Sequence, residues 1–334
     1  MAFFKNIASL FKDKSSSEKS TSKNIKVSLT YDSYSQAEKI VSNGENNKSA
    51  KYYSPSEYST ARFLEWCSYS AHKIEKSSDN YPKWMFYECG IVDPLKKHKQ
   101  LIDEGYLLLA DTKTQLAKLK VAELKEIMKG YDVPAKCKKD DLIYLICENI
   151  DVSSLSLPEL YVVSPKGQTY LNEHSEMLSA DKLRQYGITL DEYYEQKHSM
   201  DNSATQYDIA LAIFDNKISE YSTYDQNLRL LRNVYLSMAK FYFSQNMKYE
   251  SIKCYCFILY TDFCVSVYED AFIAPGIIKQ IYDLKEFYSK DIFVFCTKFN
   301  IPKEYNRISS ARFSQLLDDV FQGTEIEDLK EKYL

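Results

Sequence analysis

Six lysines, Lys118, Lys120, Lys125, Lys136, Lys138 and Lys139, crowd one short stretch of the chain. The chemistry they offer is recognition of phosphate: ammonium groups on flexible stems neutralise and position a nucleic-acid backbone without reading its bases. Between Lys113 and Asp140 there are eight lysines against four acids (Glu123, Glu126, Asp132 and Asp140), an excess of four positive charges. The whole chain carries a formal net charge of −4 and a pI near 5.8. That total excludes a protein that coats DNA with its entire surface. It suits a small backbone-contacting patch whose affinity falls steeply with salt. The same residues allow two other readings, a solvated lysine face on a structural helix pair and a surface that docks a protein.

Bond-making chemistry finds no comparable foothold. The 8 glycines form neither GxxxxGK[ST] nor GxGxxG, and there is no GxSxG, HExxH or kinase signature. His72, His98, His174 and His198 sit in unrelated contexts, and His98 lies toward the core side of its helix. The 8 cysteines are scattered, without the spacing of a zinc site, and read as reduced thiols. The acid pairs Asp140/Asp141 and Asp318/Asp319 and the group Glu325/Glu327/Asp328 fall on expected helices, where capping or a solvated face accounts for them. The expectation is a non-enzymatic protein with no cofactor and no metal.

The lysines must be positioned by what surrounds them. Leu116, Leu119, Val121, Leu124, Ile127 and Met128 recur at helical spacing, with Lys120, Lys125 and Lys129 directed elsewhere. Leu142, Ile143 and Ile146 form a second apolar stripe directly after Lys136, Lys138 and Lys139. The stretch 116–150 therefore predicts two short amphipathic helices joined by a tight, lysine-bearing connection.

Three pieces of this stretch, Leu119-Lys120-Val121-Ala122-Glu123-Leu124-Lys125, then Val133-Pro134, then Lys138-Lys139-x-Asp141-Leu142-Ile143, together resemble a SAP motif. This is a helix–extended–helix module associated with binding DNA. The resemblance implies sequence-nonspecific contact with the DNA backbone through the six lysines. Two positions that hold glycine in the family are Asp132 and Cys137 here, and the basic residue common late in the second helix is Leu145. Gly130, two residues before Asp132, offers the conformational freedom that glycine brings to such a connection. The segments 98–107, 161–171, 232–243 and 273–284 are similar to parts of uncharacterised SAP-domain proteins of Gram-positive bacteria and their prophages. That wider resemblance starts near Tyr81. It implies a bacterial or phage cytoplasmic protein and assigns no activity.

Length and composition frame the rest. A chain of 334 residues with 45% hydrophobic and 27% charged residues has room for several domains, and only 8 glycines and 8 prolines point to a mainly α, multi-domain fold. The 29 tyrosines accompany abundant Lys, Asn and Ile, a set we ascribe to AT-rich coding. No apolar run reaches transmembrane length, so integral membrane association is not expected. Residues 1–24 comprise an amphipathic segment (Phe3, Phe4, Ile7, Leu10 and Phe11 beside Lys5, Lys12 and Lys14) and a polar linker. The segment suits docking to a membrane surface or a partner, or folding back on its own domain.

Residues 25–111 read as a mixed, mostly helical region. A strand is expected at Ile25, Val27, Leu29 and Tyr31, then a helix after Pro55 with Tyr58, Ala61, Phe63, Leu64 and Cys67 on one side, then a helix capped by Asp93 with Pro94 first. The SAP-like module occupies 112–150. Residues 151–200 connect it onward through an extended piece, a Ser164-capped helix faintly like a winged-helix strand–turn, a stop at Gly187 and a capping box at Thr189–Glu192. Residues 201–334 form a C-terminal helical domain. There Tyr235, Met238, Ala239, Tyr242, Ser251, Tyr255 and Ile258 have the spacing of one tetratricopeptide-like pair or of two antiparallel helices in a bundle. Breaks are expected at 272–276, Pro302 and Gly323. This domain, with slightly more acids than bases, is expected to hold a protein partner. The rival to nucleic-acid association is a pure protein-interaction or regulatory protein, phage or defence related, in which the SAP-like unit is structural.

Overall fold

Ser54 and Glu57 start the first helix by satisfying each other's backbone. The Glu57 N–H donates to Ser54 Oγ at 3.1 Å, and the Ser54 N–H donates to Glu57 Oε2 at 2.8 Å. Helix α1 (Pro55–Tyr69) follows, and Tyr58, Ala61, Phe63, Leu64 and Cys67 are all buried, as their spacing predicts. In this computed structural model the described residues are 52–134, 136–222, 228–264, 275–299 and 308–334, Cys264 by its backbone alone. All lie in one compact unit spanning 47–334. The expected N-terminal amphipathic segment, linker and strand at 25–31, the break at 272–274 and Pro302 lie outside the described residues.

After the short helix α2 (Trp84–Tyr87), α3 (Pro94–Asp103) opens on the Asp93 cap, whose carboxylate accepts from Lys96 N–H at 3.0 Å. Strand β1 (Leu107–Leu109) then leads into α4 (Thr112–Ala117), α5 (Val121–Ile127) and α6 (Lys139–Asn149). The chain returns along β2 (Tyr161–Val163), antiparallel to β1 with Leu108 opposite Val162. His72 adds a bridge on the far side of β2, its N–H and carbonyl both bonded to Tyr161. The helices between the two strands bury Leu116, Leu124, Met128, Leu142, Ile143 and Ile146 in a core of their own, separate from the main one. The lysine-bearing segment is thus an excursion carried on a two-stranded ribbon.

One expectation needs correcting. The periodicity over 116–128 predicts a single helix, but the chain forms two, α4 and α5. Lys120 leaves helical geometry (φ −73°, ψ 154°), and the Glu123 carboxylate reaches back to accept its N–H at 2.5 Å. Leu116, Leu124 and Met128 still face one core, with Leu119 and Ile127 packed against it, but Val121, expected on the same stripe, is exposed at the start of α5.

Below the ribbon, Ser164 caps α7 (Pro165–Glu173): its Oγ accepts from Gly167 N–H at 3.0 Å and donates to the Gly105 carbonyl at 2.6 Å. Helix α8 (Ser175–Asp181) and a 3₁₀ turn (Lys182–Tyr186) end at Gly187, whose φ of +71° supplies the left-handed stop. The Thr189–Glu192 capping box then starts α9 (Leu190–Ser199). The rest of the described chain is helical: α10 (Gln206–Ser222), α11 (Leu228–Ser244), α12 (Lys248–Cys264), α13 (Pro275–Asp283), α14 (Lys290–Thr297), α15 (Ser310–Gln322) and α16 (Ile326–Tyr333). Gly323 closes α15 at φ +83°.

Helices α11 and α12 form an antiparallel hairpin through a tight turn at Asn246 (φ 59°). Ser251 Oγ donates to the Ala239 carbonyl at 2.9 Å, and Arg232 grips both carboxylate oxygens of Asp262. Every residue from 251 to 260 is buried, and α12 packs on α11, α13 and α14. It therefore lies enclosed among its neighbours, with no broad open face along that stretch. Its buried Cys254 and Cys256 are free thiols.

Candidate nucleic-acid interface

Each of the six lysines is placed by a helix end or by the connection. Lys118 follows α4, Lys120 precedes α5, Lys125 is in the last turn of α5, Lys136 lies in the turn before α6, Lys138 is the α6 cap residue and Lys139 its first residue. Lys118, Lys120, Lys125, Lys136 and Lys138 are exposed, whereas Lys139 is half-buried. Among the described residues none of the six forms an ion pair, in contrast to Lys129, which meets Glu126 at 2.9 Å.

The ammonium of Lys139 donates to the carbonyl of exposed Ala117 at 2.6 Å. That bond joins the start of α6 to the end of α4. Lys118 and Lys120 lie on one of the two segments so joined and Lys136 and Lys138 on the other, and together these segments form the lysine edge. Lys125 belongs to neither segment, lying in the last turn of α5.

The connection bends at Gly130, with φ +96°. Asp132 and Cys137 lie outside the left-handed region, so the turn does not require glycine at either place. Val133 and Cys137 pack against the module core, and Tyr131 Oη donates to the Asn149 carbonyl at 3.3 Å, fastening the connection to the end of α6. Acids lie close to the lysine edge: the Glu123 carboxylate accepts the Lys120 N–H and the Asp141 carboxylate accepts the Lys138 N–H at 3.3 Å, while Asp140, Asp141, Tyr144 and Glu148 are exposed along α6. Asp140 and Asp141 occupy its first turn, where the helix dipole favours them.

The charge of Lys118 reaches the ribbon. Burial, and then the Lys118 ammonium, hold the His72 imidazole below its ordinary pKa. His72 stacks on Trp66 with ring centroids 3.6 Å apart, and its Nε2 meets Ser70 Oγ at 3.0 Å. Behind it, fully buried His98 shares a hydrogen bond with Tyr81 through Nδ1 at 2.8 Å, while its Nε2 is buried without a partner. The sequence places His98 on the core side of α3 but does not reveal this half-satisfied state, which depends on what packs against it. Burial, with His72 adding to it, pushes the His98 pKa down to about 4 from an ordinary 6.5.

A histidine whose folded pKa is depressed contributes stability that is complete above pH 6.5 and is lost as the pH falls toward 4. Wild-type stability should drop between pH 6.5 and 4.5 more steeply than that of a His98→Phe variant, by up to roughly 1.4 kcal/mol per pH unit. Urea midpoints of the two proteins across that range provide the check. Parallel curves would show that His98 protonates freely in the fold.

Among the described residues no group of three or more His, Cys, Asp or Glu is placed to hold a metal ion. No helix among them is long and apolar enough to cross a membrane. No family model, curated protein or solved structure matches the chain.

Proposed function

We propose that this protein associates with the DNA backbone through the lysine edge of its SAP-like helical module, without reading sequence and without bond-making chemistry, while its C-terminal helical region holds a protein partner. One observation supports the reading: Lys118, Lys120, Lys136 and Lys138 are exposed on two segments that the Lys139–Ala117 bond joins, and among the described residues none of their ammonium groups forms an ion pair, on a chain whose overall charge is negative. Unpaired ammonium groups at one edge favour a polyanion because each phosphate contact releases condensed counterions.

The experiment is fluorescence-anisotropy titration of a labelled duplex with the wild type and with K120E/K136E/K138E. All three residues are exposed, so the variant is expected to keep its fold. The reading expects it to bind at least about a hundredfold more weakly at low salt, since each reversal removes one phosphate contact and adds a repulsion. Equal binding by the two proteins would contradict it.

A second reading has support of its own. The bond of the Lys139 ammonium to Ala117 and the exposed acids of α6 suit a module that is structural within a protein-interaction or regulatory protein. No duplex binding by the wild type at low salt would favour this reading, and the full chain would then be used to recover protein partners.

A further inference from the structure

We infer that Lys139 is a positioning residue of the DNA-binding edge, not one of its phosphate contacts. The inference rests on the proposed DNA association and assigns a separate task within the same site.

Its ammonium is committed. Lys139 is half-buried, and Nζ donates to the Ala117 carbonyl at 2.6 Å. Ala117 is the last residue of α4, where helical carbonyls lose their internal partners and carry the negative end of the backbone dipoles. Left open, that end would face the same phosphates that Lys118 and Lys120 attract. Lys139 covers it with a positive charge.

The bond also restrains geometry. Lys118 and Lys120 belong to the junction of α4 and α5, Lys136 and Lys138 to the connection before α6, and the Lys139–Ala117 bond is a polar tie between the two segments. Holding both pairs of ammonium groups in place before binding removes an ordering cost from the complex. Lys139 therefore acts on affinity through the other four lysines.

This role separates from a phosphate contact by salt dependence. Removing a lysine that touches phosphate reduces the slope of log K against log salt by about 0.9. Removing one that only positions the others weakens binding and leaves the slope unchanged.

The test uses the full chain, a labelled duplex and anisotropy across a salt series, for wild type, K139M, K139Q, K139R and K120M, with thermal midpoints recorded in parallel. Methionine keeps the apolar stem that fills the half-buried position. Glutamine is too short to reach Ala117 and serves if K139M lowers the thermal midpoint. Arginine still reaches the carbonyl.

The expected result is roughly three- to tenfold weaker binding for K139M and K139Q, on the scale of one charge-assisted hydrogen bond, with the wild-type slope, an unchanged midpoint and recovery in K139R. K120M should lower the slope. A slope reduced in K139M as it is in K120M would make Lys139 a phosphate contact and overturn the inference alone. So would unchanged affinity in K139M and K139Q. Absence of binding by the wild type would instead overturn the DNA-association reading and this inference with it.

Discussion

Asp181→Asn should lower the unfolding free energy by about 1–3 kcal/mol, because it neutralises a buried carboxylate shared by Arg62, Arg184 and Tyr58 while Glu65 remains beside Arg62. The Asp181 side chain is only 4% exposed, and Arg62 Nε lies 3.2 Å from its Oδ2. Its Oδ1 accepts from Arg184 at 2.8 Å and from the Tyr58 hydroxyl at 2.9 Å. Arg62 also meets Glu65 at 2.5 Å and lies over the Trp84 ring, its guanidinium 5.1 Å from the ring centroid. These contacts clasp α1 to the end of α8. The Arg184 side chain is 42% exposed, so its own share is screened and small. Most of the cost falls on Arg62. Urea denaturation at neutral pH measures the loss, and a change below about 1 kcal/mol would mean that water compensates the cluster.

Gly167→Ala should cost about 2–4 kcal/mol and loosen the seat of the ribbon. A methyl group there would stand 2.4 Å from the Tyr106 carbonyl oxygen and 2.8 Å from Val163 Cγ1. The first neighbour is backbone and cannot rotate away, so α7 and the chain entering β1 must separate. Tyr106 also accepts the Ser164 N–H at 2.9 Å, which puts that bond under the same displacement. Chemical denaturation measures the stability lost, and amide exchange of Leu108 and Val162 reports the ribbon directly. An alanine variant as stable as the wild type would show that α7 does not press on the ribbon.

What could be read from the sequence was what is written in local chemistry. Asp93 before Pro94, Ser164 before Pro165, and Thr189 with Glu192 are caps whose partners lie three residues away, so short windows suffice to place those helix starts. Gly187 and Gly323 mark stops for the same reason. The break between α4 and α5 escaped because lysine is not a capping residue. Its signal is Glu123 reaching back to Lys120, half of a capping box without the usual hydroxyl. Gly130, rather than Asp132 or Cys137, carries the positive φ of the connection, so a family pattern matched position by position looks for the turn in the wrong place.

The site was legible as a list of lysines and not as a geometry. Sequence treats Lys138 and Lys139 as equivalent neighbours, yet one is exposed and the other spends its ammonium on Ala117, a carbonyl twenty-two positions away. The Arg62–Asp181 contact is more remote still, and no periodicity encodes it. Such pairings arise when separately formed helices pack, and they become visible only in three dimensions.

The salt dependence of duplex binding by the wild-type protein tests the central claim most directly. Four exposed lysines acting on backbone phosphates predict a slope of log K against log salt of roughly −3 to −4, at about 0.9 per contact, with little difference between duplexes of unrelated sequence. A flat slope, or no binding at about 50 mM salt where such contacts are strong, would contradict DNA association and leave the lysine edge as part of a protein-interaction surface.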